Sequence, residues 1–323
     1  MNVFVTARLP REVMAKIEQE HSIETHGEDR PIGRNELLAG VEGKDGLLCT
    51  ITDLIDLEVF DRAPGLKIVA NNGVGFDHID IETATRRGIP VSNTPGVLTD
   101  STADLTFALI LAAARRVVEG DKITRSGRFT FWAPFHFLGQ DVSGKTLGIV
   151  GFGRIGRAVA KRAAGFDMKV LYYSRNPLQK DEDERLGVCF TPLDALLKES
   201  DFVSLHVPLR AETRHLIGER ELSMMKSSAC LINTARGPIV DERSLVEALR
   251  QGHIGAAGLD VYEKEPELTP GLAELDNVVL MPHSGSATIE TRTRMAVMSA
   301  DNLLAGLRGQ RPPNCLNWDA LSR

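Results

Sequence analysis

The chain has 323 residues, 42% hydrophobic and 25% charged, with 29 glycines and 15 prolines scattered without period. That length exceeds the ~250–300 residues one core usually serves, and the composition excludes collagen, long disorder and a small stapled scaffold. A net charge of −6 and only 5% aromatic residues argue against a nucleic acid or anionic membrane held by bulk charge, and against a stacking platform for single strands.

Cys49, Cys189, Cys230 and Cys315 lie far apart, with no CxxC pair and no metal-ligand spacing, so free thiols, a reducing compartment and no metal are expected. The first residues, MNVFVTARLP, begin a strand rather than a signal sequence. The run LTFALILAAA at 105–114 is about half the ~20 residues a bilayer needs. A cytoplasmic protein is expected.

In chain order, β-rich runs at 3–6, 46–50, 67–71 and 90–93 alternate with helical stretches such as 11–20 and 80–88. Pro95-Gly96 breaks the pattern, and Ser101-x-x-Asp104 resembles a capping box opening an apolar helix to about Gly120. A second series of strands follows at 146–150, 169–173, 202–207, 229–234, 256–261 and 278–281, and then a helix at 288–307. This alternation predicts an α/β fold with two doubly wound parallel sheets. Too little chain follows the last strand for another domain. The expected arrangement is therefore a discontinuous, flavodoxin-like substrate domain (1–98 and 287–323). A Rossmann cofactor domain (99–286) is inserted in it, and two crossings form a hinge and cleft.

Gly151-Phe-Gly153-Arg-Ile-Gly156 directly follows the strand TLGIV and opens a helix, the order a dinucleotide site requires. Gly151 permits a tight turn, Gly153 close approach to a diphosphate, and Gly156 close helix–strand packing. The new helix offers amides and the positive end of its dipole. No GxxxxGK[ST] is present. An acid ~20 residues on would take the ribose 2′-hydroxyl of NAD. The chain instead places Ser174 and then Arg175 at that strand end. A hydroxyl and a guanidinium suit a 2′-phosphate, so NADPH is expected to be preferred over NADH.

Arg236, Asp260, Glu265 and His283 fall at or just past the carboxyl ends of three later strands, the edge where open α/β sheets bind ligands. Ketone reduction needs a hydride donor, a proton donor and a cation for the carboxylate and carbonyl. His283 suits the acid, Glu265 its supporting carboxylate, Arg236 the cation, and Asp260 a hydrogen-bond acceptor for the cofactor carboxamide. Taken singly, each could equally be a capping or turn residue. Earlier in the chain, Asn71-Asn72-Gly73-Val74-Gly75 follows a strand and reads either as an anion-binding loop or as a simple glycine turn.

The series NNGVGFDHID, TPGVLTDSTADL, GKTLGIVGFGRIG, LHVPLRAETRHLI, LINTARGPIVDE, GLDVYEKEP and MPHSGSAT resembles the D-isomer-specific 2-hydroxyacid dehydrogenases over essentially the whole chain. Within that family the likeness is nearest to the glyoxylate/hydroxypyruvate reductases, through Trp132-Ala-Pro and the Ser174-Arg175 pair. The resemblance implies Arg236 as substrate-binding, with His283 as the acid/base and Glu265 as its partner. It implies substrate-carboxylate amides at Val74 and Gly75, and Leu54 and Trp132 near the substrate. For the cofactor it implies Thr102, Arg154, Ile155, Ser174, Arg175, Pro208, Thr213, Thr234, Asp260, His283 and Gly285, beside the three glycines. It also implies a homodimer in which Trp132 serves the partner subunit, and no added regulatory domain. The activity implied is NADPH-dependent reduction of a small 2-keto acid to the D-2-hydroxy acid. 2-Ketogluconate reduction and phosphoglycerate or phosphite oxidation are alternatives, and so, in another class, is a dinucleotide-sensing corepressor.

Overall fold

The computed structural model describes residues 1–321, and the chain divides into two compact units. One holds Met1–Leu98 and the chain's return from Ala287 onward; the other is Thr99–Ser286.

The first unit carries β1 (Asn2–Val5), β2 (Ser22–Thr25), β3 (Gly46–Cys49), β4 (Ile68–Asn71) and β5 (Val91–Ser92), all parallel, in the order β2-β1-β3-β4-β5. GLLC and IVAN are buried throughout, as strands covered on both faces must be. Leu37, Val59, Phe60 and Ala84 pack on one face. On the other lies the helix Ile289–Leu307, with Ala296, Ala300, Leu303, Leu304 and Leu307 against Val3, Val5, Leu48, Ile68 and Ala70. The helix sits low: a Cβ on Gly306 would lie 2.8 Å from Ile68. Together with Val13 and Ile17 of the helix Arg11–Glu18, this returning helix covers that face of the sheet, which is why the last segment belongs with the first. Asp80 caps the helix Ile81–Arg86 by accepting from the Thr83 amide, and Thr288 caps Ile289–Leu307 through the Thr291 amide. The sequence pattern does not reveal β2, whose residues SIET are polar except for Ile23 and form a largely exposed edge.

The second unit carries β6 (Thr146–Val150), β7 (Lys169–Tyr173), β8 (Val188–Phe190), β9 (Phe202–Leu205), β10 (Cys230–Asn233), β11 (Ala256–Leu259) and β12 (Val278–Leu280). Their order, β12-β11-β10-β9-β6-β7-β8, reverses direction between β6 and β9. That reversal is the switch point of a doubly wound nucleotide-binding sheet. The seventh strand, β8, has three residues and is additional to the six expected.

Two expectations about the first helix of this unit need correction. It spans Thr99–Ala114, so Ser101 lies inside its first turn rather than capping it. It also stops well short of Gly120: Arg116 takes a left-handed φ of 52° and a second helix, Val117–Arg125, begins. The Arg116 guanidinium binds Glu119 and lies over the Phe137 ring, which holds the break. Phe107, Leu109 and Ile110 of the first helix are buried in the core on one face of the sheet. Among the described residues, no helix is long and apolar enough to cross a membrane, and no cluster of metal-ligating side chains is present.

Candidate active site

At the end of β6, Gly151 has φ +99° and its amide donates to the Tyr173 carbonyl at 2.8 Å. A Cβ there would lie 2.6 Å from the His206 backbone, so glycine is required by both space and conformation. Gly156, in the first turn of the helix Arg154–Ala163, would press a Cβ to 2.3 Å from the Gly151 carbonyl. Gly153 is different. It caps the helix in extended backbone and a Cβ would meet nothing within 4 Å, so the amide end of the helix is open on that side. Two glycines close the turn and the third leaves room, the pattern that fits a diphosphate at a helix N-terminus. Arg154 is exposed and Ile155 half-buried beside it. His206, packed beneath the turn, bonds the Ser204 hydroxyl at 2.8 Å, and desolvation pushes its imidazole down to about 3, so it stays neutral.

The neighbouring strand ends carry the other expected cofactor residues. Past β7, Ser174 is half-buried and Arg175 exposed, with no carboxylate at either position. Past β9, the Thr213 hydroxyl accepts from the Arg210 amide and donates to the Pro208 carbonyl at 2.7 Å, so both expected residues belong to one self-capped turn. Thr234 at the end of β10 shares a hydrogen bond with Thr106 at 2.9 Å; Thr106 donates to the Thr102 carbonyl, and the Thr102 hydroxyl to the Gly285 carbonyl.

The polar groups past β10, β11 and β12 converge. The Asn233 side chain accepts from the Ala235 amide at 3.0 Å and donates to the Arg236 carbonyl at 2.9 Å, which fixes the turn that carries the guanidinium. Gly237 follows because a Cβ there would lie 1.9 Å from the Tyr262 carbonyl group; the two loops touch backbone to backbone. Asp260 accepts through one oxygen from the Ser284 amide at 2.7 Å and through the other from the Gly285 amide at 2.8 Å. Its own carbonyl accepts from the His283 amide at 2.9 Å. Burial raises the Asp260 carboxyl despite these donors and the His283 charge. The carboxylate expected to meet the cofactor carboxamide thus already holds the loop 283–285 in place.

That loop sets His283 at a left-handed φ of 51°, with its Nδ1 2.7 Å from Glu265 Oε2. The other Glu265 oxygen accepts from the Tyr262 amide at 2.9 Å. Burial would raise the Glu265 carboxyl, but the hydrogen bond to His283 opposes it. The His283 charge, the Tyr262 amide and the nearby Arg236 charge add to that bond, and the carboxyl is held below its ordinary value. An ionised carboxylate on Nδ1 fixes the ring and leaves Nε2 as the face for proton transfer. Such a pair beside a guanidinium can donate a proton to a carbonyl oxygen and polarise it.

In the first unit, the Val74–Gly75 segment is half-buried and the Leu54 side chain 55% exposed. Trp132, in the second, is 79% exposed.

Residues 107–285, over half of the chain, match the family model "D-isomer specific 2-hydroxyacid dehydrogenase, NAD binding domain". The chain belongs to the D-isomer-specific 2-hydroxyacid dehydrogenase family. The glyoxylate reductase of Thermococcus litoralis is 52% identical over 324 residues, covering 99% of this chain and 98% of that protein. The crystal structure of the TT0316 protein from Thermus thermophilus superposes with a TM-score of 0.91 at 51% identity, covering 98% of this chain and 100% of that one. An NADPH-dependent glyoxylate/hydroxypyruvate reductase from Sinorhizobium meliloti, in complex with NADP and malonate, superposes at 0.86 with 31% identity, covering 98% and 96%.

This dehydrogenase is therefore an oxidoreductase whose larger unit contains an NAD-binding Rossmann domain. The sequence points to Arg236, Asp260, Glu265 and His283 but not to the residues that hold them. Asn233 and Thr106 escape it, and so does Glu242. The last is 2% exposed and accepts from the Glu263 amide at 2.7 Å and the Thr269 hydroxyl at 2.6 Å, bracing the loop that carries Glu265. The available signal is a polar residue directly after an apolar strand (Asn233) or inside an apolar helix (Thr106).

Proposed function

We propose that this dehydrogenase reduces a small 2-keto acid, glyoxylate or hydroxypyruvate, to the D-2-hydroxy acid with NADPH as the preferred reductant. The observation that carries the reading is the His283–Glu265 pair at 2.7 Å with the Arg236 charge acting on the same carboxylate. Relatives named glyoxylate reductase, about half identical over almost the whole chain, support the substrate class.

In this reading the amides at Gly151–Gly156 hold the diphosphate, and Ser174 and Arg175 take the 2′-phosphate. When bound, the nicotinamide supplies a hydride to the keto carbon. His283, held at Nδ1 by Glu265, gives its Nε2 proton to the carbonyl oxygen, and Arg236 holds that oxygen and polarises it. The Val74 and Gly75 amides take the substrate carboxylate, which assigns substrate to the smaller unit and cofactor to the larger. Leu54 and Trp132 are near the substrate in the same reading. Phe129, Phe131, Trp132 and Phe135, each at least 57% exposed within one short segment, are the surface of a homodimer, with Trp132 serving the partner.

The test is kcat/KM for glyoxylate, hydroxypyruvate, 2-ketogluconate, phosphoglycerate and phosphite, each with both nicotinamide cofactors. Highest efficiency with glyoxylate or hydroxypyruvate and NADPH is the expected result. A preference for phosphite, or no turnover of any keto acid, refutes the reading.

A further inference from the structure

Three successive carbonyls of the loop after β4 are turned inward by two buried carboxamides. Asn71 Nδ2 donates to the Gly73 carbonyl at 3.2 Å and to the Gly75 carbonyl at 2.7 Å. Asn93 Nδ2 donates to the Val74 carbonyl between them at 2.8 Å, and the Thr94 amide adds a second bond to Gly73 at 3.0 Å. Asn71 is fully buried and Asn93 is 6% exposed. In a trans peptide the carbonyl and the following N–H point in opposite directions. None of the three peptides is cis, so fixing the carbonyls of Gly73, Val74 and Gly75 inward turns the N–H groups of Val74, Gly75 and Phe76 outward. Among the described residues, none of those three N–H groups has an acceptor. Three adjacent amides on one side of a loop form a concavity for an anion.

The support continues one layer back. Asn302, fully buried in the helix Ile289–Leu307, donates to the Asn93 carbonyl at 3.2 Å and accepts from the Asn314 amide at 3.0 Å. In Asn71 only the donor half of the carboxamide is used; its oxygen is buried and has no partner among the described residues. The residue is thus present for its N–H groups, which aspartate of the same shape lacks.

We propose that Asn71 and Asn93, braced by Asn302, are positioning residues that set the affinity for the substrate carboxylate by aiming the Val74, Gly75 and Phe76 amides, without touching the substrate. This rests on the reading above that the Val74–Gly75 loop takes that carboxylate, and it adds Phe76 as a third donor. The test uses the full chain with Asn71→Asp and Asn93→Asp, each a near-isosteric loss of donor. KM and kcat for glyoxylate, the inhibition constant of oxalate and the dissociation constant of NADPH are measured. The expected result is a rise of about tenfold or more in both KM and the oxalate constant, since hydrogen bonds to a charged group are lost. The kcat should stay within about threefold and NADPH binding unchanged, because neither hydride nor proton donor is disturbed. Unchanged KM and oxalate constant overturn the proposal. So does a fall in kcat and NADPH affinity together, which marks a general loss of structure. If thermal melting shows that either Asp variant is unfolded, Asn93→Ser decides on the same readouts: it keeps a donor but shortens its reach. A wild-type chain that reduces no 2-keto acid refutes the functional reading itself. A wild type that reduces glyoxylate while the variants keep its KM refutes only the positioning role.

Discussion

His283 Nδ1 and Glu265 Oε2, 18 positions apart in the chain, meet at 2.7 Å because each residue is held from its other side. The backbone of His283 hangs from the Asp260 carbonyl, and the second oxygen of Glu265 is bound by the Tyr262 amide. Replacing His283 with Gln removes the transferable proton but keeps a polar group of similar size. We expect kcat for glyoxylate to fall by about 10²–10⁴, the usual worth of a general acid. NADPH affinity, measured by fluorescence titration, should be unchanged. Turnover within threefold of wild type would remove His283 from the proton step.

Glu265→Gln tests the other half of the pair. The folded chain holds this carboxyl below its ordinary value, so it is charged throughout the neutral range and grips His283 Nδ1 as an ionised partner. A neutral Gln offers Nδ1 only an uncharged carboxamide, and charge-assisted hydrogen bonds are roughly twice as strong as neutral ones. We therefore expect kcat for keto-acid reduction to drop by about tenfold or more. A kcat within threefold of wild type between pH 5 and 9 would contradict this.

The proposed cofactor preference rests on two adjacent residues, half-buried Ser174 and exposed Arg175. Arg175→Ala should raise KM for NADPH about tenfold and leave that for NADH unchanged, the cost of one charge-assisted contact to a phosphate. Ser174→Asp should go further and reverse the preference, because a carboxylate repels the 2′-phosphate and accepts from a 2′-hydroxyl. Initial rates with both cofactors decide it; a Ser174→Asp enzyme that still favours NADPH would place the discrimination elsewhere.

The parts of this site that are legible in the sequence are those where one residue type does a job few others can. Gly151 and Gly156 are excluded from any other identity by backbone contacts of 2.6 and 2.3 Å, and their spacing after an apolar strand marks the turn. Arg236, Glu265 and His283 stand out because three ionisable groups fall at or just past the carboxyl ends of later strands, the edge where open α/β sheets bind ligands. Asn233, Asn71 and Asn93 are not legible as supports. An asparagine after a strand looks like any turn former, and only the positions of the carbonyls it reaches separate the two. The strands β2 and β8 escape for a related reason: four and three residues long at sheet edges, they carry little periodic signal. The break at Arg116 is hidden because the residue that adopts φ 52° is an arginine rather than a glycine, and its pairing with Glu119 is a tertiary compensation.

Glu242 gives a stability prediction with a defined sign. Burial raises its carboxyl, the Glu263 and Glu265 charges add to that, and the bonds from Thr269 and the Glu263 amide only partly offset it. A carboxyl raised by folding destabilises the native state when ionised. That cost is absent below the ordinary value of 4.5 and complete once pH exceeds the raised value. In Glu242→Gln the amide oxygen can still accept from Glu263 while its NH₂ donates to the Thr269 hydroxyl, so both contacts survive. Tm of the variant should equal or exceed wild type at pH 8, and the difference should shrink toward pH 4.5. A variant less stable at pH 8 than at pH 5, relative to wild type, would show that the ionised carboxylate is required.

Gly237 links the two halves of the proposed chemistry, because a Cβ there would lie 1.9 Å from the Tyr262 carbonyl group and 2.4 Å from the Glu263 nitrogen. These are backbone atoms, and they cannot swing aside as a side chain could. Gly237→Ala must therefore push the Tyr262–Glu263 segment away from the turn that carries Arg236. The Tyr262 amide that holds Glu265 moves with it, so the cation and the acid's partner separate together. Overpacking of this kind costs typically ~1–3 kcal/mol, so the protein should fold with a lowered Tm. Because a displacement of about 1 Å can cost ~10² in rate, kcat/KM for glyoxylate should fall by about that factor or more. Binding of NADPH, proposed at the Gly151–Gly156 turn, should be spared. An alanine variant with normal kcat/KM would mean that the two loops move independently.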